Sequence, residues 1–142
     1  MAADQIVNGY LSPAKLNGAK ADNDAGTMYA EGKNYTAMEH YWDEGFGYLY
    51  GLEADETSPT LGATGDVLLN KYAAKIEASN SPGIAKIIYD AFIMGRAAIV
   101  AKNYTVRDEQ AKIIQIHISK IIGYKAIDYL NSCLLYTSDA AD

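Results

Sequence analysis

Hydrophobic positions along the chain recur at spacings of three and four, which is the period of a helix that buries one face. Polar stretches rich in Gly, Asn, Asp and Ser separate the hydrophobic segments. No segment shows the sustained alternation that is typical of a half-buried strand. We therefore predict an all-helical chain, with helices over residues 2–11, 36–51, 66–78, 82–103 and 107–131 and loops over residues 17–34 and 51–65.

Several of these helices carry start signals. Thr36 is followed three residues later by Glu39, which is the spacing of a capping box. Pro82 is expected at the first helical position of the fourth helix, where its missing N–H costs little. Thr105 is expected to cap the last helix, whose first turn carries acidic residues 108–109 that suit the helix dipole.

The last predicted helix contains isoleucines over residues 113–122 that, taken alone, could indicate a strand. The length of the segment and the interspersed Gln115, His117 and Lys120 favour a helix instead. The fourth helix is apolar around much of its circumference, so we expect it to be central. The fold class that follows is an antiparallel helical bundle.

Composition narrows the classes of protein to which the chain can belong. With 142 residues, 49% of them apolar and 21% charged, the chain can bury a core. Its 12 Lys and Arg residues are spread along the sequence and outnumbered by 18 acidic residues, so a nucleic-acid partner is not expected. The 12 tyrosines are numerous for this length, and their apolar rings with polar tips suit helix interfaces and wet cavities.

The two ends of the sequence carry signals of their own. Residues 133–142 read CLLYTSDAAD and resemble one reading frame of a transposon adapter used in sequencing libraries. We therefore predict a native domain over residues 1–132, truncated at its C-terminus, and a non-native segment that includes Cys133. The first residues lack a signal peptide and no apolar run is long enough to span a membrane, so the protein is either cytoplasmic or also truncated at its N-terminus.

The helix over residues 36–51 carries the densest potential chemistry. On a helical wheel, Glu39, His40, Asp43 and Glu44 share one arc, opposite an apolar arc. Residues three and four apart are neighbours on a helix surface, so the imidazole can meet the carboxylates. Such a group fits half of a divalent metal site or an acid–base pair, and the alternative is an ordinary solvated polar face.

Two glycines on the same helix add a second argument. Gly47 and Gly51 fall on one stripe with His40 and Glu44, and a glycine within a helix costs about 1 kcal/mol relative to alanine. Close approach of a neighbouring helix or of a ligand would explain that cost. The helix is therefore predicted to be a contact surface, supported from its apolar side by Trp42.

The segment GKNYTAMEHYWDEGFGYLYG over residues 32–51, with GRAAIVAKNY over residues 95–104 and the isoleucine-rich helix after it, resembles the imelysin-like family of domain of unknown function 4856. The resemblance covers nearly all of residues 2–132, and its most specific part is MEHYWDE. It implies a helical bundle from a larger envelope lipoprotein of Gram-negative bacteria, periplasmic or in the outer membrane. It also implies a signal and a lipid anchor upstream of this chain.

The wider imelysin group carries a Gly-x-His-x-x-Glu motif that is linked to iron uptake and to a claimed metallopeptidase activity. His40 matches the histidine, whereas Met38 stands in place of the glycine and Asp43 in place of the glutamate. The shorter arm of aspartate changes the geometry that a metal would meet. The chain also lacks the paired histidines of an HExxH zinc site, so the resemblance supports binding more than peptidase activity.

Outside this helix two residues are further candidates. Arg96 lies among small residues of the fourth helix, and we expect it to pair with the carboxylates near His40. The alternatives are an ion pair with Asp90 or Glu109, or a solvated arginine. His117 lies on an apolar helix and is expected to be a satisfied boundary side chain rather than a second metal ligand.

The sequence supports three interpretations of function. The first is a non-catalytic envelope binding module that holds a divalent metal ion such as iron, or a metal-bearing ligand, through Glu39, His40, Asp43 and Glu44. The second is a structural helical scaffold, and the third is a metal-dependent peptidase. No residue is assigned as catalytic or cofactor-binding, because a nucleophile, a base and an open metal position cannot all be identified.

Overall fold

The computed structural model describes residues 2–51 and 68–139, with side chains as far as residue 135. Within these ranges the chain forms helices and no strand, which confirms the predicted all-α fold; an isolated antiparallel bridge joins Met28 and Thr36. The described elements are α1 (Ala2–Asp4), a π-helix that continues it (Gln5–Tyr10), α2 (Pro13–Gly18), α3 (Lys20–Ala25), α4 (Ala37–Tyr50), α5 (Leu68–Ser79), α6 (Ile84–Val100) and α7 (Tyr104–Asp139).

The segment predicted as a loop over residues 17–34 is partly helical. Ser12 caps α2, because its hydroxyl oxygen accepts a hydrogen bond from the Lys15 N–H at 3.2 Å. Asn23 in α3 is buried, and its side-chain amide donates to the Ile99 carbonyl oxygen at 3.1 Å, which ties α3 to the end of α6. The loop prediction was wrong because the tertiary contacts of a buried asparagine outweigh the loop-like composition around it.

Helix α4 begins and ends where the sequence predicts. The Thr36 hydroxyl oxygen accepts from the Glu39 N–H, and the Glu39 carboxylate accepts from the Thr36 N–H at 2.6 Å, so the capping box is present. Gly51 ends the helix with a φ of 78°, a backbone conformation that strains most side chains. Trp42 and Leu49 point into the core, as the helical wheel indicates.

Helix α6 starts later than predicted. Gly83 has a φ of 90°, so Pro82 lies in the turn before the helix and not at its first position. A side chain of the preceding helix caps α6 instead. The Glu77 carboxylate accepts hydrogen bonds from the N–H of Gly83 at 2.7 Å and of Ala85 at 2.9 Å.

The predicted boundaries of the last helix are also corrected. Helix α7 extends beyond both predicted ends, and its cap is Asn103 rather than Thr105, because the Asn103 side-chain oxygen accepts from the Val106 N–H at 3.2 Å. Residues 113–122 are helical, as predicted. The loop predicted over 51–65, apart from Gly51, lies outside the described residues, as do the first two residues of the helix predicted over 66–78.

The core forms where α4, α5 and α7 pack around α6, which is therefore central, as predicted. Helices α6 and α7 are joined only by residues 101–103 and pack extensively against each other, so they run antiparallel. The largest fully buried apolar side chains include Ile6, Leu11, Leu16, Met38, Trp42, Leu49, Ile76, Ile84, Ile88, Phe92 and Ile99.

Candidate functional site on helix α4

Helix α4 directs its four candidate polar residues to two different places. Glu39 and Asp43 turn toward α6, where both form ion pairs with Arg96. His40 and Glu44 turn toward the N-terminal part of the chain, and His40 Nε2 lies 3.9 Å from Glu44 Oε1. The four residues predicted to share one arc of the helix thus form two rows, Glu39 with Asp43 and His40 with Glu44. The two members of each row are four residues apart. Metal binding by these residues stays a prediction.

Arg96, Glu39 and Asp43 form the arginine cluster. The guanidinium donates from Nη1 to Glu39 Oε1 at 2.7 Å and from Nε to Asp43 Oδ1 at 2.9 Å. The side chain of Glu39 is 15% exposed and that of Arg96 is 30% exposed, so the pair between them is partly shielded from solvent. The pairing of Arg96 with the carboxylates near His40 is confirmed, and the cluster joins α4 to α6.

The environment of Glu39 keeps its carboxylate charged. Burial raises the pKa of this group, but the backbone N–H of Thr36 and the Arg96 guanidinium outweigh burial and lower the pKa below its ordinary value. One carboxylate oxygen accepts from the Thr36 N–H and the other from Arg96. Glu39 therefore caps its own helix and joins that helix to α6. Both carboxylate oxygens are engaged in these structural hydrogen bonds.

The second row of α4 lies among tyrosines. The centroid of the His40 ring is 4.3 Å from that of Tyr29, 5.7 Å from that of Tyr35 and 6.0 Å from that of Tyr41. Further along, the Tyr10 ring lies 6.3 Å from Tyr41 and 5.5 Å from Tyr48. These contacts make a continuous aromatic patch, here called the tyrosine surface, which consists of Tyr10, Tyr29, Tyr35, His40, Tyr41 and Tyr48.

The loop before α4 brings its two tyrosines to His40. The Tyr29 N–H donates to the Tyr35 carbonyl oxygen at 2.8 Å, next to the bridge between Met28 and Thr36. This local pairing folds the loop back, so that the rings of Tyr29 and Tyr35 stack at 6.1 Å. Sequence reasoning missed both residues. The abundance of tyrosine was the available signal, but the turn that orders these two rings was not evident.

Charged groups border the tyrosine surface. Lys15 Nζ lies 4.2 Å from the centroid of the Tyr41 ring, a cation–π distance. Burial, with the negative charge of Glu44 as the next cause, raises the pKa of Tyr10 and keeps its phenol neutral. A second ammonium group, Lys33 Nζ, lies 5.8 Å from the centroid of the Tyr35 ring. The surface therefore combines aromatic rings with one imidazole, one carboxylate and two ammonium groups at its edge.

The predicted metal site near His40 can be compared with the distances that a metal ion requires. Among the described residues, no three His, Cys, Asp or Glu side chains are grouped closely enough to hold a metal ion. Metal–ligand bonds of about 2.1 Å put two donors on one ion at most about 4.2 Å apart. The 3.9 Å between His40 Nε2 and Glu44 Oε1 lies within that limit but exceeds the about 3.4 Å between two ligands of a tetrahedral ion, so the two side chains would move closer to share one. Glu39 and Asp43 fit less well, because their oxygens already bind Arg96.

The glycines of α4 were predicted to mark a contact surface. Apart from the backbone of α4 itself, no described residue lies within 4 Å of a Cβ added at Gly47, and Gly51 serves to end the helix. The described residues therefore show no close approach of a neighbouring helix at Gly47, and close approach of a ligand there stays a prediction. Close approach occurs instead at Gly95 of α6, where an added Cβ would lie 2.0 Å from Cζ2 of Trp42.

Trp42 has a structural role, as predicted. Its side chain is 1% exposed, and the indole N–H donates to the Phe92 carbonyl oxygen at 2.9 Å. His117 is likewise a satisfied boundary residue, because Nδ1 lies 2.8 Å from the Ile113 carbonyl oxygen and the side chain is half-buried. Neither residue contributes to the tyrosine surface.

Sequence reasoning also missed a fully buried arginine, Arg107 in the first turn of α7. Its guanidinium donates to the Asn17 side-chain oxygen at 2.7 Å and to the neighbouring Asp108 carboxylate at 2.6 Å. It also packs 4.9 Å from the Tyr104 ring centroid. Arg107 therefore joins α7 to α2, and nothing in the hydrophobic pattern distinguished it from an exposed first-turn residue.

Residues 1–141 match the model of the family described as Domain of unknown function (DUF4856), and the chain belongs to that family. This confirms the resemblance to domain of unknown function 4856 that the segment around MEHYWDE carries. Comparisons with curated proteins and with solved structures found no match. Among the helices of the described part of the chain, none combines the length and the apolar character that crossing a bilayer requires.

Proposed function

We propose that this chain is a non-catalytic, imelysin-like binding module of the cell envelope, and that its ligand is a metal ion or a metal-bearing molecule contacted by His40 and Glu44. The observation that carries the proposal is the position of His40, whose side chain is 25% exposed and held among tyrosine rings. An imidazole that is both ordered and accessible is suited to coordinate a metal, because little freedom is lost on binding.

The donor count favours a metal-bearing ligand over a bare ion. His40 and Glu44 supply two donors within reach of one ion, whereas Glu39 and Asp43 are held by Arg96. A chelate brings its own ligands and needs only the open positions filled by the protein. Iron is the metal that the imelysin resemblance suggests, and the envelope location with a lipid anchor follows from the same resemblance.

A structural scaffold is the second candidate, and a separate observation favours it. Helix α7 exposes large apolar side chains along its second half, and such side chains are usually covered by a neighbour. The arginine cluster likewise strengthens the contact between two helices rather than serving a ligand. The exposed apolar residues of this region are Ile122, Ile127 and Leu130.

Calorimetric titration with nickel(II) nitrilotriacetate, a chelate that leaves coordination positions open, tests the proposal. The chain must carry no polyhistidine tag. We expect His40→Ala to abolish binding and Glu44→Gln to weaken it about tenfold. The matched control is His117→Ala, which removes the other histidine and should bind as the parent does. Equal binding by the parent and His40→Ala would reject the proposal, and so would binding that depends on His117.

A further inference from the structure

A groove beside the tyrosine surface lies outside the proposed metal-binding pair. It has a volume of about 480 Å³, within the range of small-molecule sites. The π-helix forms one side of it and the start of α2 forms the other. The lining residues that bear on its chemistry are Gln5, Asn8, Gly9, Tyr10, Ser12 and Lys15.

The π-helix shapes this groove. Helices of this type are rare and are found frequently at functional sites. Here the wide turn is closed by the Leu11 N–H, which donates to the Ile6 carbonyl oxygen at 3.1 Å. The turn brings the Gln5 side chain over Gly9, where an added Cβ would lie 3.3 Å from Gln5 Oε1. The absence of a side chain at Gly9 therefore keeps space next to an amide group.

The polar groups of the groove are mostly neutral. The Gln5 amide has no hydrogen-bond partner among the described residues, and the Asn8 amide nitrogen donates to Asp4 while its oxygen can still accept. The Ser12 hydroxyl donates to the Gly9 carbonyl oxygen at 2.8 Å. Lys15 is the charged residue of the lining. Such a set suits a ligand with many hydroxyl groups better than a multiply charged one.

One wall of the groove is aromatic. Tyr10 lines the groove and touches Tyr41 and Tyr48, so its ring is held by neighbouring rings. A half-buried tyrosine ring offers a flat apolar face with a polar tip. Lys15 both lines the groove and lies over Tyr41, which places an ammonium donor at the edge of this wall.

We propose that the groove binds a saccharide. The apolar C–H face of a pyranose ring packs against Tyr10, and its hydroxyl groups pair with Gln5, Asn8 and Lys15. A purely apolar ligand would leave the Gln5 amide unpaired on binding, which is costly. A ligand with several negative charges would meet one lysine beside a chain of net charge −6. This inference is independent of metal binding by His40.

Saturation-transfer NMR and calorimetry with the neutral probes cellotetraose and chitotetraose test the saccharide site in the full chain, and tetragalacturonic acid, which carries several negative charges, should not bind. We expect at least one neutral probe to bind with a dissociation constant below about 1 mM. Tyr10→Ala and Gln5→Ala should each weaken that binding about tenfold or more, and Tyr10→Phe should retain most of it. Gln5 is exposed, so Gln5→Ala provides a folded variant even if Tyr10→Ala unfolds.

The matched control is Tyr129→Ala, which removes an exposed tyrosine that contacts α5 and not the groove. It should bind the saccharide as the parent does. No binding of any probe at about 10 mM, or binding unchanged in Gln5→Ala, would overturn the proposal. His40→Ala should keep saccharide binding while losing the nickel chelate, so failure of the metal site and failure of the saccharide site are distinguishable.

Discussion

The two rows of polar residues on α4 share the same spacing and have different surroundings. Glu39 and Asp43 face a guanidinium supplied by α6, and their charges are used to join two helices. His40 and Glu44 face rings supplied by the N-terminal segments and stay partly accessible. Spacing along one helix is the same in both rows. The comparison shows that a partner on another element decides whether such a row is structural or available to a ligand.

Glycines also differ in whether another element lies against them, and a glycine substitution is expected to have the largest effect on the free energy of unfolding. Gly95→Ala would put a Cβ 2.0 Å from Cζ2 of Trp42, so the indole must move or the helices must separate. We expect a loss of about 3 kcal/mol in the free energy of unfolding, at the upper end for overpacking, measured by urea denaturation.

Gly47→Ala is the matched substitution on α4. It adds the same methyl group where no described residue lies within 4 Å, so the helix propensity of alanine should stabilise the protein by up to about 1 kcal/mol. Equal destabilisation by the two substitutions would mean that Gly47 also lies against a neighbour, and the contrast between the two glycines would be lost.

Breaking the arginine cluster should have the next largest effect. Arg96→Ala removes both ion pairs of α6 with α4, one of them partly buried, and we expect a loss of about 1–2 kcal/mol in urea denaturation. Arg96→Lys should recover only part of this stability, because an ammonium group lacks the planar geometry with which a guanidinium donates to two carboxylates.

The control for Arg96 is Lys86→Ala on the same helix. Lys86 pairs with Asp90, and the lysine side chain is 77% exposed, so its removal should leave stability unchanged within error. If Arg96→Ala were as harmless as Lys86→Ala, the cluster would contribute nothing to the fold.

Acid should weaken the same cluster. The folded-state pKa of Glu39 is lowered, so its stabilising contribution is present above the ordinary glutamate pKa and is lost as pH falls through the lower folded value. Between about pH 5 and pH 3, the unfolding free energy of the parent should therefore fall more steeply than that of Glu39→Gln.

The control for this pH series is Glu109→Gln, at an exposed position in the second turn of α7. Its profile should parallel that of the parent, and thermal unfolding at a series of pH values would measure all three proteins. If the Glu39→Gln profile also parallels that of the parent, the charge of Glu39 does not contribute to the stability of the cluster.

Local signals in the sequence predicted the fold better than they predicted the site. The capping box at Thr36 and the period of α4, α6 and α7 were readable because they depend on nearby residues. α2 and α3 were missed because Asn23 acquires its partners from distant parts of the chain. The pairing of Arg96 could be anticipated, since a mid-helix arginine among small residues needs an acidic partner.

The tyrosine surface and the buried arginine could not be predicted in the same way. Tyr29 and Tyr35 reach His40 only because the loop between them folds back on itself. Arg107 looks like an ordinary first-turn residue until α2 packs over it. In both cases the decisive contact joins segments far apart in sequence or depends on a turn without a strong signature. Binary patterning does not encode such contacts.

The smallest stability effect is expected in the second row. His40→Ala removes ring contacts at a partly exposed position, so the unfolding free energy should fall by no more than about 1 kcal/mol. A loss larger than that of Arg96→Ala would make His40 the structural residue and reverse the comparison.

The most direct test of the division of α4 is one calorimetric titration of nickel(II) nitrilotriacetate into Arg96→Ala and into His40→Ala, at a temperature where both are folded. The two rows are expected to respond oppositely: Arg96→Ala should bind the chelate as the parent does, whereas His40→Ala should not bind it. Loss of binding in Arg96→Ala with retention in His40→Ala would contradict the assignment of one row to structure and the other to a ligand.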